Sequence, residues 1–385
     1  MDSETIRHLN IHKNSERLGL YVTPTAGQSK QLPLHEEHCR QGARFVELDG
    51  WTWIDEYGDN MINEYIELNR SAVICDVHSI IFGSLRGPNI LGRLMPQLTN
   101  KSIASKPFHT ISDSCILNAD GAIFDDMMIF VVSHDELFLT LNESFENLIH
   151  ILDNSVKENC LWADLTDMTA KLQLQGPHAD RVIQDITGVT PLKAFHFSVV
   201  DNMLIAKSGF TLPGGYELFM PIDQGTECWR RCLNMGILPY GIKAMEISRV
   251  ESGKLRAGHD FHPHLHWPSE LGFMADHEDC HASEAQFSMN FFVSAPIPQG
   301  DHERPQIGDI IYNCEGQLVG VATSAVYSPR YRRYLGFCHL RHGVKSLPGE
   351  LSIHGLAIKT TPWKQARKIL QNITAYDVEA PNEAA

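Results

Sequence analysis

Ala170-Lys171-Leu172-Gln173-Leu174-Gln175-Gly176-Pro177 decides how the rest of the chain is read. Ala170, Leu172 and Leu174 alternate with polar residues, which is the period of a strand. Gly-Pro ends the run, and Ala179, Val182, Ile183, Ile186 and Thr187 follow at helical spacing. Proline suits a first helical turn because its missing N–H has no partner there anyway. An earlier copy reads Ile80-Ile81-Phe82-Gly83-Ser84-Leu85-Arg86-Gly87-Pro88, followed by Leu91, Leu94, Leu98 and Thr99. Two strand–Gly-Pro–helix units in register predict a duplicated α+β module.

Two acidic features sit inside this frame. In Asn118-Ala119-Asp120-Gly121-Ala122-Ile123-Phe124-Asp125-Asp126-Met127-Met128-Ile129-Phe130, Asp120-Gly121 reads as a hairpin turn and the rest as a buried strand. Two carboxylates at the mouth of such a strand are costly unless they have partners or a task. Successive strand residues face opposite ways, so only one of Asp125 and Asp126 can face a given ligand. The second feature is Lys207-Ser208-Gly209-Phe210-Thr211-Leu212-Pro213-Gly214-Gly215-Tyr216-Glu217-Leu218-Phe219-Met220-Pro221. Here Glu217 lies in an apolar strand, either as an outward edge residue or as a buried ligand-binding carboxylate.

These pieces, in this order, resemble the aminomethyltransferase family, the glycine cleavage T-protein and its tetrahydrofolate-dependent demethylase relatives. The segment from Leu34 to Trp51, the strand Ala72-Val73-Ile74-Cys75-Asp76-Val77, Tyr240-Gly241, Arg249, Glu251-Ser252-Gly253, Pro268-Ser269-Glu270-Leu271-Gly272, Thr323-Ser324 and Ser328-Pro329 are similar to further blocks of that family. The resemblance implies a folate-binding body of two interleaved α+β subdomains, arranged as a three-domain ring with a C-terminal β-barrel. It implies tetrahydrofolate as cofactor. Asp126 falls on the family's catalytic acid near N5 of the pterin, where a carboxylate can manage the proton. Glu217 falls on the glutamate that binds the pterin's amino–amide edge, which suits two acceptors meeting two N–H donors. Asn142, Arg249 and Phe210 fall on further cofactor-side positions.

Departures from the glycine-cleavage pattern fall on the substrate side. Gly209 to Glu217 differs from the family's glycine-rich block, Asp76-Val77-His78-Ser79-Ile80 differs from Asp-Val-Ser-His-Met, and Asp113 stands where an aromatic packs on the pterin. His259, His262 and Trp267, with Asp113, are therefore expected to line the methyl-donor side. The histidine-rich stretch from His259 to His281 has a composition that would suit a metal. Pro263 and Pro268 break any regular strand there, and the matching family segment is a loop without metal, so no metal is expected.

The 385 residues are 43% hydrophobic, enough for two or three cores. The net charge of −15 argues against nucleic acid and anionic membranes as partners. Nine scattered cysteines without a CxxC pair suit a reduced, cytoplasmic protein. Residues 1–30 read as a polar lead-in, 31–290 as the body, 291–375 as a β-barrel of short alternating runs, and 376–385 as a disordered tail. Helices are expected over Glu143 to Val156 and Gly225 to Met235.

The expected reaction moves a methyl group from a small O-, N- or S-methylated compound to tetrahydrofolate. One alternative is glycine cleavage itself, with a lipoyl carrier protein as donor, which the altered blocks disfavour. Another is a folate-binding accessory protein without catalysis, which retention of Asp126 disfavours.

Overall fold

The computed structural model describes residues 29–48, 50–77, 80–119, 123–209, 214–256, 259–261, 287–296, 303–341, 343–344 and 350–378. They fall into two compact units. One lies within Ala26–Met245, and the other is made from segments within Glu246–His266 and His281–Ala385.

The first unit is built on two sheets. Five antiparallel strands form one of them: β4 (Ile81–Arg86), β5 (Thr110–Leu117), β6 (Ile123–Val131), β7 (Glu136–Leu141) and β8 (Leu161–Asp164), in the order β5-β6-β7-β4-β8. The other comprises β3 (Val73–Asp76), β9 (Thr169–Gln175), β10 (Phe197–Val200), β11 (Met203–Ala206), β12 (Gly215–Pro221) and β13 (Leu238–Pro239), in the order β10-β11-β12-β9-β3-β13. A hairpin of β1 (Ala43–Leu48) and β2 (Trp51–Tyr57) stands apart.

The duplication is visible in these orders. In each sheet a strand leads through Gly-Pro into a helix, and three antiparallel strands follow. The last of the three pairs with the first strand, β7 with β4 and β12 with β9. The helices are Ile90–Leu94 and Ala179–Thr187. Gly176 is required at its turn. Its φ is +119°, and a Cβ there would run into the Ser71 carbonyl oxygen.

One face of each sheet carries its own core. Leu172, Leu174, Tyr216, Leu218 and Met220 pack against Val182 and Ile183 of the Ala179–Thr187 helix and against Trp229 and Cys232 of the helix Ile222–Asn234. Met127, Ile129, Val131, Leu137 and Leu139 pack against Ile90, Leu91 and Leu94. The opposite faces meet through an aromatic layer of Phe82, Phe130, Phe138, Phe197 and Phe219. Phe82 stacks on Phe219 at 4.6 Å between centroids, and Phe130 meets Phe219 edge-on at 5.7 Å. Such aromatic pairs prefer offset or edge contacts.

The helix expected over Glu143 to Val156 is instead two, Phe145–Ile151 and Asn154–Lys157. Gln97 interrupts it. Its Nε2 donates to the Ile151 carbonyl at 3.0 Å and its Oε1 accepts from Asp153 N at 2.8 Å. That side chain takes the place of helical partners.

The second unit holds a closed barrel. Its strands are β14 (Phe287–Ser294), β15 (Ile310–Asn313), β16 (Leu318–Ser328), β17 (Arg333–Arg341), β18 (Leu351–Ile353) and β19 (Leu356–Pro362), joined β14-β17-β16-β15-β18-β19 and closed by β14 with β19. His354 and Gly355 both take positive φ, 49° and 75°, as a two-residue hairpin turn demands. Among the described residues no helix is long and apolar enough to cross a membrane.

Gly336 marks the tightest point of the barrel, because a Cβ there would meet the Ser324 carbonyl and the Phe292 ring. Gly336→Ala should therefore cost about 1–3 kcal/mol by overpacking. Urea unfolding should show a lower midpoint with an unchanged slope.

Candidate functional site

Strand alternation assigns the aspartate pair to opposite faces. Asp126, Met128 and Phe130 share the face of β6 that borders the aromatic layer, while Asp125 shares the other face with Met127 and Ile129. Asp125 is fully buried and accepts from the backbone N–H groups of Asn142 and Glu143, both at 2.9 Å. Its Oδ1 also accepts from Asp126 N at 2.9 Å and from Asn142 Nδ2 at 3.1 Å. It is a structural clamp that fixes the chain leaving β7. Asn142 is thereby held where its Nδ2 donates to Asp126 Oδ1 at 2.6 Å.

Asp126 has a different environment. Cys115 lies directly opposite on β5, and Asp113 is its diagonal neighbour on the same face. Burial raises the Asp126 pKa well above the usual carboxylate range, and the charges of Asp125 and Asp113 push it further. Burial likewise raises Asp125, against the pull of its N–H donors.

Glu217 reaches the same aromatic layer from the other sheet. On β12 it shares a face with Phe219, and its cross-strand neighbours are Ala206 on β11 and Gln173 on β9. It is 2% exposed, so the edge-strand alternative does not hold. Gln173 Nε2 donates to Glu217 Oε1 at 3.0 Å and Ser208 Oγ donates to Oε2 at 2.5 Å. Two carboxylates, Asp126 and Glu217, thus rise from two sheet faces that share one aromatic layer.

Sequence reasoning missed the polar face of β9. Every residue of β9 is buried, including Lys171, Gln173 and Gln175. Burial drives the Lys171 pKa down to about 7, partly opposed by Asp76, and its Nζ donates to the Ile80 carbonyl. Alternation normally signals a half-exposed strand. Here the signal available was that β9 opens the repeat and so lies in the middle of its sheet, where a polar face must line an interior.

Arg249 and His259 belong to the second unit. Arg249 is 2% exposed and donates all five N–H groups there. Its acceptors are both oxygens of Glu246 (3.0 and 2.7 Å), the Lys254 carbonyl (2.6 Å), Asp260 Oδ2 (2.6 Å) and Ser324 Oγ (2.7 Å). Burial opposes ionisation of Glu246, yet Arg249 and Arg256 hold it at about 2. With no N–H left to give, Arg249 is a buttress of its own unit rather than a cofactor ligand in this conformation. His259 N donates to the Arg256 carbonyl at 3.3 Å. Phe210, His262 and Trp267 lie outside the described residues, as do the remaining histidines of that stretch.

Comparison with known proteins bears on the whole arrangement. The family model described as the GCVT N-terminal domain matches residues 34–275. The aminomethyltransferase of Phocaeicola vulgatus is 25% identical over 351 residues, covering 84% of this chain and 95% of the relative. That of Halothermothrix orenii is 26% identical over 344 residues, covering 83% and 94%. The glycine cleavage system aminomethyltransferase T from Bartonella henselae has the same fold, with a TM-score of 0.73 at 19% identity over 88% of this chain and 99% of that one.

The two aspartates predict opposite stability effects. Asp125→Ala should cost about 1–3 kcal/mol for each buried N–H left without an acceptor. Asp126 behaves differently because its folded pKa lies above the unfolded value near 3.9. The folded state then holds the proton to higher pH, so this contribution is complete at acid pH and is lost as pH rises through the folded pKa. Asp126→Asn should flatten that decline and leave the variant at least as stable as wild type above neutrality. Thermal melts from pH 4 to 9 check both.

Proposed function

The chain belongs to the GCVT family, whose co-substrate is tetrahydrofolate, and on that premise we propose that it is a tetrahydrofolate-dependent demethylase. The donor in this reading is a small O-, N- or S-methylated compound. The observation that carries it is the pairing of Asp126 and Glu217 across one aromatic layer.

Glu217 supplies the orienting contact. Its carboxylate is buried and presents acceptors, so it suits the amino–amide edge of a pterin, which presents N–H donors. The phenyl rings give a flat, apolar floor for a ring system. Asp126 supplies the proton handling. The folate contributes the nucleophilic nitrogen, N5. In the transfer a bond from that nitrogen to the methyl carbon would form, the leaving group would depart with the electron pair of the broken bond, and the proton on the nitrogen must go. Asp126 accepts it, with Asn142 fixing the rotamer of the carboxylate. A carboxyl raised by burial is a stronger base than an ordinary aspartate, and so suits this task near neutral pH.

The donor side is proposed to involve Asp113. Asp113 already lies diagonal to Asp126, where its charge would favour a methylammonium or sulfonium centre. The names of the curated relatives favour the second reading, aminomethyl transfer from a lipoyl carrier protein. Turnover with free methylated donors and none with the aminomethyl carrier supports demethylation. The reverse result selects aminomethyl transfer.

Glu217→Ala should weaken tetrahydrofolate binding by about 1.5–3 kcal/mol per charge-assisted bond lost, read by calorimetry. Equal affinity for wild type and variant sinks the placement. Asp126→Asn should keep most of that affinity and lower turnover by about 10²–10⁴-fold. In wild type, kcat should rise with pH through a pKa above the ordinary aspartate value, and the Asp126→Asn profile should lose that limb. A variant that keeps both turnover and limb removes Asp126 from the chemistry.

A further inference from the structure

Gln173 carries a polar atom without a partner among the described residues. Its amide is fixed in one orientation, because Glu217 Oε1 is an acceptor and only the Nε2 end can donate to it, at 3.0 Å. The other end, Oε1, is fully buried and has no hydrogen-bond partner among the described residues. Gln173 itself is 1% exposed. A buried acceptor without a donor costs about 1–3 kcal/mol, a cost that the bond from Nε2 to Glu217 does not remove. Its neighbours on β9 in the opposite direction, Leu172 and Leu174, are apolar.

Position says what this atom can meet. Gln173 is the direct cross-strand partner of Glu217 and shares its face toward the aromatic layer. A second buried atom without a partner among the described residues is Tyr240 Oη. Tyr240 is close enough to Glu217 for that carboxylate to help raise the phenol's pKa, after burial and the Cys75 thiol. Glu217 therefore does not stand alone. Its carboxylate and Gln173 Oε1 form a continuous row of acceptors, whose own donor is already committed inward. A ligand that satisfies the row must bring more than one N–H, and two of them on adjacent positions.

We propose that Gln173 is a specificity residue whose Oε1 accepts the second N–H of the ligand's exocyclic amino group, beside the N–H taken by Glu217. This rests on the folate reading above and deepens it. The pair selects a ring bearing a primary amino group next to a ring N–H, and rejects rings in which that amino group is absent. Without the amino group, Gln173 Oε1 stays buried and unsatisfied.

Gln173→Met keeps length and volume but removes the acceptor. Calorimetry with tetrahydrofolate and with its 2-desamino analogue separates the roles. The variant also loses the bond from Nε2 to Glu217, so both ligands are affected, and it should lose about 3–10-fold more affinity for tetrahydrofolate than for the desamino analogue. Gln173→Glu should restore the preference, because beside Glu217 one of the two carboxyls holds a proton and mimics the amide. Equal losses for both ligands, or none for either, overturn the proposal while leaving the folate reading intact. Wild type that binds neither ligand overturns both. If Gln173→Met fails to fold, Gln173→Leu supplies the measurement, and equal losses for both ligands again overturn the role.

Discussion

The carboxylate of Asp125 is the interaction on which the site depends. A buried charge must be met by donors. Asp125 meets that demand with the N–H groups of Asn142 and Glu143, at the far end of the next strand. The clamp holds β6 and the end of β7 together. It also decides, by alternation alone, that Asp126 faces the aromatic layer, and it delivers Asn142 to hold that residue. One residue of the pair is spent on geometry so that the other can be kept at a raised pKa.

The same economy appears across the layer. Glu217 is held by Gln173 on the neighbouring strand and by Ser208 just beyond the end of β11. Asn142 donates to Asp126, and Gln173 and Ser208 donate to Glu217; all three are neutral donors. Neutral donors hold a carboxylate in place without fixing it in the ionised state as an arginine would. Arg249 in the second unit shows the contrast, holding Glu246 at about 2. A group kept for proton transfer needs the first kind of setting.

Much of the fold was legible in the sequence. The paired strand–Gly-Pro–helix runs marked the duplication, and the sheet orders carry it through to the pairing of β7 with β4 and β12 with β9. The short alternating runs near the C-terminus marked the barrel. Less legible was anything set by contacts distant in sequence. Gln97 breaks the expected helix from 54 residues away, measured to Ile151. Asp125 finds its donors 17 and 18 residues on. The full commitment of Arg249 depends on Ser324, 75 residues on. Gln173 was hidden by a different rule, since polar alternation suggests solvent and β9 has none. In a central strand that pattern marks an interior polar surface, and it is the feature most worth reading in related chains.

The central claim is that a reduced pterin binds within the first unit, with its amino–amide edge at Glu217 and N5 at Asp126. A crystal structure of the protein with tetrahydrofolate tests it most directly. The account predicts the pterin ring against the layer of Phe82, Phe130 and Phe219, its amino group within hydrogen-bonding distance of Glu217, and N5 on the Asp126 side. A pterin bound elsewhere, or reversed so that its amino edge meets Asp126, would contradict it.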